Sequence, residues 1–383
     1  MTRLTTRTYQ YSDKSATLYL AFELSSSEWK LGFSTGLGQK ARRRSIEAGD
    51  LNKLQAEIRA AKKRFTLPET IRVVSCYEAG REAFWLHRYL TKSGVENVIV
   101  DSSSIEVKRR ERKAKTDRLD VQKLLIMLIR YHLGERKVWS VVQAPSPEEE
   151  DRRQVHRELS ALRKEKTRTS NRTKGLMATQ GIRFKGRLNL SEDQLDAIRL
   201  WDGSGLPPDL KDRLKWEWEH LLFIEARIRS LETDRRRVLR QAEDSDAPKI
   251  KQLAMLRGIG SNGAWIFVKE FFGWRKFNNR KELGSLAGLT PTPFRSGALI
   301  REQGISKAGN RHIREIAIEI GWSWVRYQPK SKLTQWFLKR FGNGGPRARK
   351  IGIVALSRRL LIDLWRFLET GAVPEGAELK ANS

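Results

Sequence analysis

Two carboxylates three residues apart, Asp117 and Asp120 in KAKTDRLDVQKLL, sit among Lys113, Lys115, Arg118 and Lys123. On a helix, positions 117 and 120 share one face with Cβ atoms about 5–6 Å apart. Two acids held that close repel unless a cation lies between them, and hard oxygen ligands suit magnesium. The plainer reading is a solvated face on which the acids pair with Arg118 or Lys123. Glu23 follows the apolar run TLYLAF and Glu78 follows IRVVSCY. Acids at two strand ends and two on a helix could converge on one sheet edge. That constellation suits metal-assisted phosphoryl transfer, with Mg2+ or Mn2+ as cofactor and nearby cations holding a nucleic-acid backbone.

The elements that must position these acids are readable in outline. Residues 17–22 and 29–34 read as strands joined by a polar turn, and 45–65 reads as a helix with Leu51, Leu54, Ile58 and Ala61 at helical spacing. A strand over 71–77, a helix over 81–90, a strand over 95–101 and the helix bearing the two Asp follow. A hairpin and then alternating helices and strands predict an α/β domain over 1–145. VQAPSPEEED, 142–151, reads as a linker. From 151 the period changes. Val155, Leu159, Leu162, Lys166, Thr169, Thr173 and Leu176, then Leu214, Trp218, Leu221, Ile224, Ile228 and Leu231, predict an antiparallel helical hairpin within 146–247. Its first arm is strongly basic, with twelve Lys/Arg against three Asp/Glu over 151–190, Arg172 and Lys174 among them. The last domain, 248–383, is expected to be helical. Its Gly258-Ile259-Gly260 turn resembles a helix-hairpin-helix whose amides could face phosphate, although such glycines also simply end helices. Residues 288–310 read as a loop leading to helices over 311–328 and 350–369. Trp322, Trp324 and Tyr327 are expected in the core rather than as base-stacking platforms.

Composition bounds the function. The chain has 383 residues, 75 Lys plus Arg against 45 Asp plus Glu, and a formal charge of +30. Such a charge favours a phosphate-rich partner. The best apolar run, LLIMLI, is far too short to span a bilayer, and the N-terminal stretch lacks a signal-peptide core, so no membrane role is expected. Cys76 is the single cysteine, which leaves no disulfide framework or zinc knuckle and points to a reducing cytoplasm.

Four motifs in register, YEAGREAFWLHRYL, KTDRLDVQKLL, LRGIGSNGAWIFVKEFF and GLTPTPFRSGALIREQGISKAGNRHIRE, resemble the insertion-sequence-one-hundred-ten family, the Piv-like DEDD transposases or bridge-RNA-guided recombinases. The RSG…GISKAGN form is similar to one of its subgroups. The resemblance covers about 17–370. It implies a RuvC-like, ribonuclease-H-type first domain whose metal-binding acids fall on Glu23, Glu78, Asp117 and Asp120. It also implies a C-terminal transposase domain whose nucleophile falls on Ser296, with Arg295, Arg301, Lys307, Arg311 and Arg314 around it to steady phosphate oxygens. On the residues alone Ser296 reads as a loop serine beside Gly297. The implied partners are element and target DNA, an element-encoded guide RNA and further copies of the chain, as dimer or tetramer, with a site shared between protomers. The family usually has Asp at the first acid; Glu23 carries one more methylene and reaches roughly 1–1.5 Å further, a shift that matters to catalysis unless the backbone adjusts. Other readings are an invertase or junction nuclease using water, and a decayed transposase that only binds DNA.

Overall fold

The computed structural model describes residues 16–105, 117–183, 186, 188–241, 244–296 and 299–380, and the chain forms two compact units, 1–145 and 146–383.

The first unit is built on a five-stranded sheet. Its elements are β1 (Thr17–Leu24), β2 (Glu28–Ser34), β3 (Arg42–Glu47), α1 (Leu51–Arg64), β4 (Arg72–Glu78), α2 (Ala83–Lys92), β5 (Val95–Val100) and α3 (Asp117–His132). The strand order is β3-β2-β1-β4-β5, with β1, β4 and β5 parallel and the β1-β2-β3 meander antiparallel. Alternation divides β1 between two cores. Leu18, Leu20 and Phe22 pack with Leu54, Ile58, Leu86 and Leu90 of α1 and α2, whereas Tyr19 and Ala21 pack with Val121, Leu124, Leu125 and Leu128 of α3. Both faces of the central strands are therefore covered, which is why TLYLAF and RVVSCY are continuously apolar. The crossover β1 → β4 carries α1, and β4 → β5 carries α2, both onto the same face.

Helix α3 lies close to the sheet because β2 offers it a glycine. A Cβ on Gly32 would stand 2.6 Å from Val121 Cγ1. The 45–65 helix is shorter than expected. Residues 42–47 form β3, whose RRRSIE sequence buries only Ile46 and hides its alternation, and α1 begins after Asp50, whose Oδ1 accepts from Lys53 N at 2.8 Å. The expected linker is also ordered. Val142 and Ala144 pack on the first core, and 147–151 is a capped helical turn of the second unit.

That second unit runs α4 (Pro147–Asp151), α5 (Gln154–Ala178), α6 (Glu192–Ala197), α7 (Pro208–Gln241), α8 (Ala247–Ala254), α9 (Ser261–Phe267), α10 (Arg280–Leu286), β6 (Pro291–Ser296), β7 (Leu299–Ile305), α11 (Arg311–Tyr327), α12 (Lys332–Phe341) and α13 (Pro346–Thr370). Helices α5 and α7 form the antiparallel hairpin, burying Leu159, Thr169, Thr173 and Met177 against Leu214, Leu221, Ile224 and Leu231. Helices α8–α13 enclose the other core of this unit, with Phe267, Phe271, Trp324, Leu360 and Leu364 at its centre. Two expectations fail here. The stretch 288–310 is largely a β-hairpin, with its register disturbed between Pro291 and Pro293. And of the three aromatics assigned to the core only Trp324 is buried; Trp322 and Tyr327 are 44% and 50% exposed, on the outer face of α11.

Candidate active site

Strand register brings the first two acids together. Ala21 of β1 pairs with Cys76 of β4 in the parallel ladder, so two residues further on Glu23 and Glu78 stand level at the carboxyl ends of adjacent strands. Such strands run about 4.7–4.9 Å apart. Parity puts both on the face that carries Ala21 and Cys76, the face covered by α3. The helix fixes the third acid. Val121, Leu124, Leu125 and Leu128 anchor it to the sheet, the Leu124 carbonyl lies 3.8 Å from Cys76 Sγ, and Asp120 precedes Val121 at the rim.

Glu23, Glu78 and Asp120 line one cleft of about 580 Å³, together with Ser25, Arg81 and Glu82. Glu23 and Asp120 are half-buried and Glu78 is exposed. Asp117 opens α3, but its side chain lies outside the described residues, as do Lys115 and the side chain of Arg118. Among the described residues no three His, Cys, Asp or Glu are close enough to hold one ion together. The donor set is nonetheless all carboxylate, the chemistry that magnesium and manganese prefer. Two charged cleft residues escaped the sequence reading. Arg81 and Glu82 follow Glu78 in the turn into α2, and Glu82 accepts a hydrogen bond from the Trp29 indole at 3.1 Å. Their signal was position alone, immediately beyond a strand end that carries an acid.

The remaining candidates lie in the second unit. Ser296 ends β6, pairing in register with Leu299, while Arg295 pairs with Ile300 and Phe294 with Arg301; the side chains of these hairpin residues lie outside the described set. Lys307 is exposed in a left-handed conformation (φ 56°) at the foot of β7. Its carbonyl accepts from Arg314 Nη1 at 2.9 Å, so Arg314 serves the loop backbone. Arg311 pairs with Glu315 at 2.6 Å on the surface of α11. Arg172 is held by Glu217 across the helical hairpin in a bidentate pair at 2.5 Å, and Lys174 is half-buried on the same arm. Gly258 is left-handed (φ 83°), and its carbonyl accepts from the Ser323 hydroxyl at 2.7 Å. Its backbone is thus packed on α11. Gly260 caps α9.

A buried ionic cluster, invisible in the sequence, ties the base of the hairpin to the C-terminal helices. Glu270 is fully buried in a single wide helical turn, Val268–Phe272. It accepts from His156 Nε2 at 2.8 Å, Arg157 Nε at 2.7 Å and Asn310 Nδ2 at 2.8 Å. Burial pushes its pKa up, but the hydrogen bonds from His156 and Arg157 outweigh it and hold the carboxyl well below the usual range. Lys269 beside it is buried between Asp244 and Asp246 and faces the Trp265 ring at 5.3 Å.

A charge of +30 and a cleft of carboxylates at parallel strand ends place the chain in the class of proteins that act on nucleic acid. Residues 250–335, from α8 into α12 and including the β6-β7 hairpin, match the model of the Transposase IS116/IS110/IS902 family. The Sinorhizobium fredii protein y4rJ is 37% identical over 378 residues, covering 95% of this chain and 94% of the relative. A second protein of that organism, y4qE, is 26% identical over 74% of this chain and 66% of its own length. The transposase for insertion sequence element IS1111A of Coxiella burnetii is 24% identical over 63% of each chain. The chain belongs to this family of insertion-sequence transposases, and DNA is its partner.

Proposed function

We propose that the chain is the recombinase of its insertion sequence, cutting and rejoining DNA strands with the Ser296 hydroxyl as nucleophile and Mg2+ or Mn2+ at the acids. The observation that carries this reading is the shared cleft of Glu23, Glu78 and Asp120. Glu23, Glu78, Asp120 and Asp117 would hold the metal, which supplies polarisation of the scissile phosphate and easier deprotonation of the nucleophile. The sheet order, with an antiparallel β2 beside parallel β1, β4 and β5, is consistent with a RuvC-like first unit.

The residues of the chain have distinct tasks. Paired strands hold Glu23 and Glu78 in fixed register, and packing of α3 holds Asp120 to the same rim. Ser296 Oγ forms a bond to phosphorus as the bridging bond to one sugar oxygen breaks; the serine proton leaves to solvent and the departing sugar oxygen takes one up. The phosphoserine diester keeps the bond energy, so attack by a sugar hydroxyl rejoins the strand and restores Ser296. Arg295, Arg301, Lys307 and Arg311 are the cations available to the non-bridging oxygens. A guide RNA selects the DNA in this reading, and the basic arm α5 is a surface suited to it. Exposed Trp216 and Phe223 on α7, 72% and 68% accessible, support assembly into a dimer or tetramer through the hairpin.

The test is outward-facing PCR for an excised circle junction, with the intact element on a plasmid carrying wild type, Asp120→Ala or Ser296→Ala. A junction from wild type alone is expected. A junction that persists in Ser296→Ala removes the serine mechanism and leaves a water-using nuclease; none from any version indicates a binding-only protein.

A further inference from the structure

A cavity of about 1080 Å³ opens within the second unit. Its walls are α10, α12, α13 and the segment 372–375. Arg280, Lys281, Arg358, Arg359 and Arg366 line it together with Trp336 and Thr290. Arg358, Arg359, Ile362 and Arg366 follow helical spacing on α13, so one stripe of that helix carries three guanidinium groups into the cleft wall.

The charges are poorly balanced. Lys332 is paired with Glu375 at 2.8 Å, but among the described residues no carboxylate lies within ion-pair distance of Arg280, Lys281, Arg358, Arg359 or Arg366. Asp363 is the remaining acid of the wall. Burial raises its pKa against the opposing pull of Arg366 and Arg359, and one carboxylate is too few for five cations. Arg359 is also oriented, with its guanidinium carbon 4.0 Å from the centroid of the Trp336 ring. A guanidinium stacked on an indole loses side-chain freedom but keeps its edge N–H donors for a planar, bidentate anion contact. The cavity reaches the upper end of small-ligand sites, about 300–1,000 Å³, and five cations against the one carboxylate of Asp363 are excessive for a single small anion.

We infer that this groove is a binding track for the sugar-phosphate backbone of a nucleic-acid strand, with Arg358, Arg359 and Arg366 contacting successive phosphates. Thr290, which lines the groove, is the residue before β6, and Ser296 ends that strand six residues on. At about 3.3 Å per residue the two positions are at most about 20 Å apart, so a strand in the groove is delivered to the hairpin that carries Ser296. The inference rests on the family's action on DNA and not on the serine or the acids; binding measured without cleavage therefore separates its failure from theirs.

The test is anisotropy of labelled duplex DNA, single-stranded DNA and RNA with the full chain, titrated over about 50 to 200 mM salt. Circular dichroism checks that each variant is folded. Arg359→Ala with Arg366→Ala is expected to lower the slope of log K against log salt by about two. Loss in the DNA arms identifies a DNA strand as the occupant, and loss in the RNA arm alone identifies RNA; either supports the track. Arg359→Lys with Arg366→Lys keeps the charge and is expected to keep the slope. An unchanged slope in every arm for the Ala pair overturns the inference. So does an equal loss in the Lys pair, or in Lys63→Ala with Arg64→Ala on the exposed side of α1, which removes the same charge elsewhere.

Discussion

Glu23 and Glu78 stand level with one another at the carboxyl ends of neighbouring parallel strands, because the ladder pairs Ala21 with Cys76 two residues earlier on each strand. The carboxyl ends of strands in open α/β sheets are where such proteins place their chemistry. In this chain the position lies where β1 has an antiparallel neighbour on one side and a parallel one on the other. The extra methylene of Glu23 is accommodated without removing it from the cleft that Glu78 and Asp120 share.

The acids are predicted to act as one metal site. Glu78→Gln and Asp120→Asn preserve shape and remove charge, and each is expected to weaken Mn2+ binding by about tenfold or more, with little change in melting temperature. Isothermal titration of the two variants checks this; unchanged affinity in both would remove the cleft from consideration as a metal site.

Gly32 is predicted to set the depth of α3. An alanine there meets Val121 Cγ1 at 2.6 Å, and a β-branched neighbour has little freedom to turn away. Gly32→Ala is expected to cost about 1–3 kcal/mol in denaturant unfolding. It should also weaken Mn2+ binding, since Asp120 is the residue next to Val121.

Stability is predicted to fall on mild acidification. Burial lowers the pKa of His87, His132, His156 and His312 below the ordinary histidine value. The unfolded chain therefore binds more protons than the folded one below about pH 6.5. The stabilisation is fully present above that pH and is lost as pH falls toward the depressed folded values. Melting curves between about pH 7.5 and 5 should show this, with a shallower slope in His156→Gln. Glu270 acts with the same sign in a lower window, present above the ordinary carboxylate pKa and lost as pH falls toward its depressed one. Breaking its cluster with Glu270→Ala leaves Arg157 without its buried partner and is expected to cost about 3–5 kcal/mol.

Arg172 is predicted to hold the helical hairpin. Its bidentate pair with Glu217 is partly exposed, so Arg172→Ala is expected to cost only about 0.2–1 kcal/mol. Exchanging the two, Arg172→Glu with Glu217→Arg, should restore stability. If nucleic-acid affinity falls in the single variant and stays low in the exchanged pair, Arg172 contacts nucleic acid as well.

How much of this was legible varies with how each element is buried. TLYLAF and IRVVSCY are apolar on both faces because the sheet is covered on both, and they read as strands at once. The RRRSIE of β3 does not, since an edge strand with one buried side chain carries no alternation. The β6-β7 hairpin was missed for a related reason: PTPFRS and LIREQGI, with two prolines and several polar residues, carry no regular alternation of apolar and polar positions. The hairpin helices were legible from their periodicity, but Lys166 and Glu225 meet at 2.9 Å inside an apolar register that spacing alone would fill with leucine. The spacing of Asp117 and Asp120 was visible locally; the meeting of Glu23, Glu78 and Asp120 depends on strand order and register, which are tertiary facts. Glu270 had no signal, because a single acid in VKEFF says nothing of partners 40 to 114 residues away.

The most direct test of the central claim is to trap the protein–DNA bond. Wild-type protein would be incubated with junction DNA, guide RNA and Mg2+, then denatured, digested and analysed by mass spectrometry. The account predicts a nucleotide adduct on the peptide containing Ser296 that is lost in Ser296→Ala and in Asp120→Asn. Strand cleavage by Ser296→Ala, or an adduct on another residue, would contradict it.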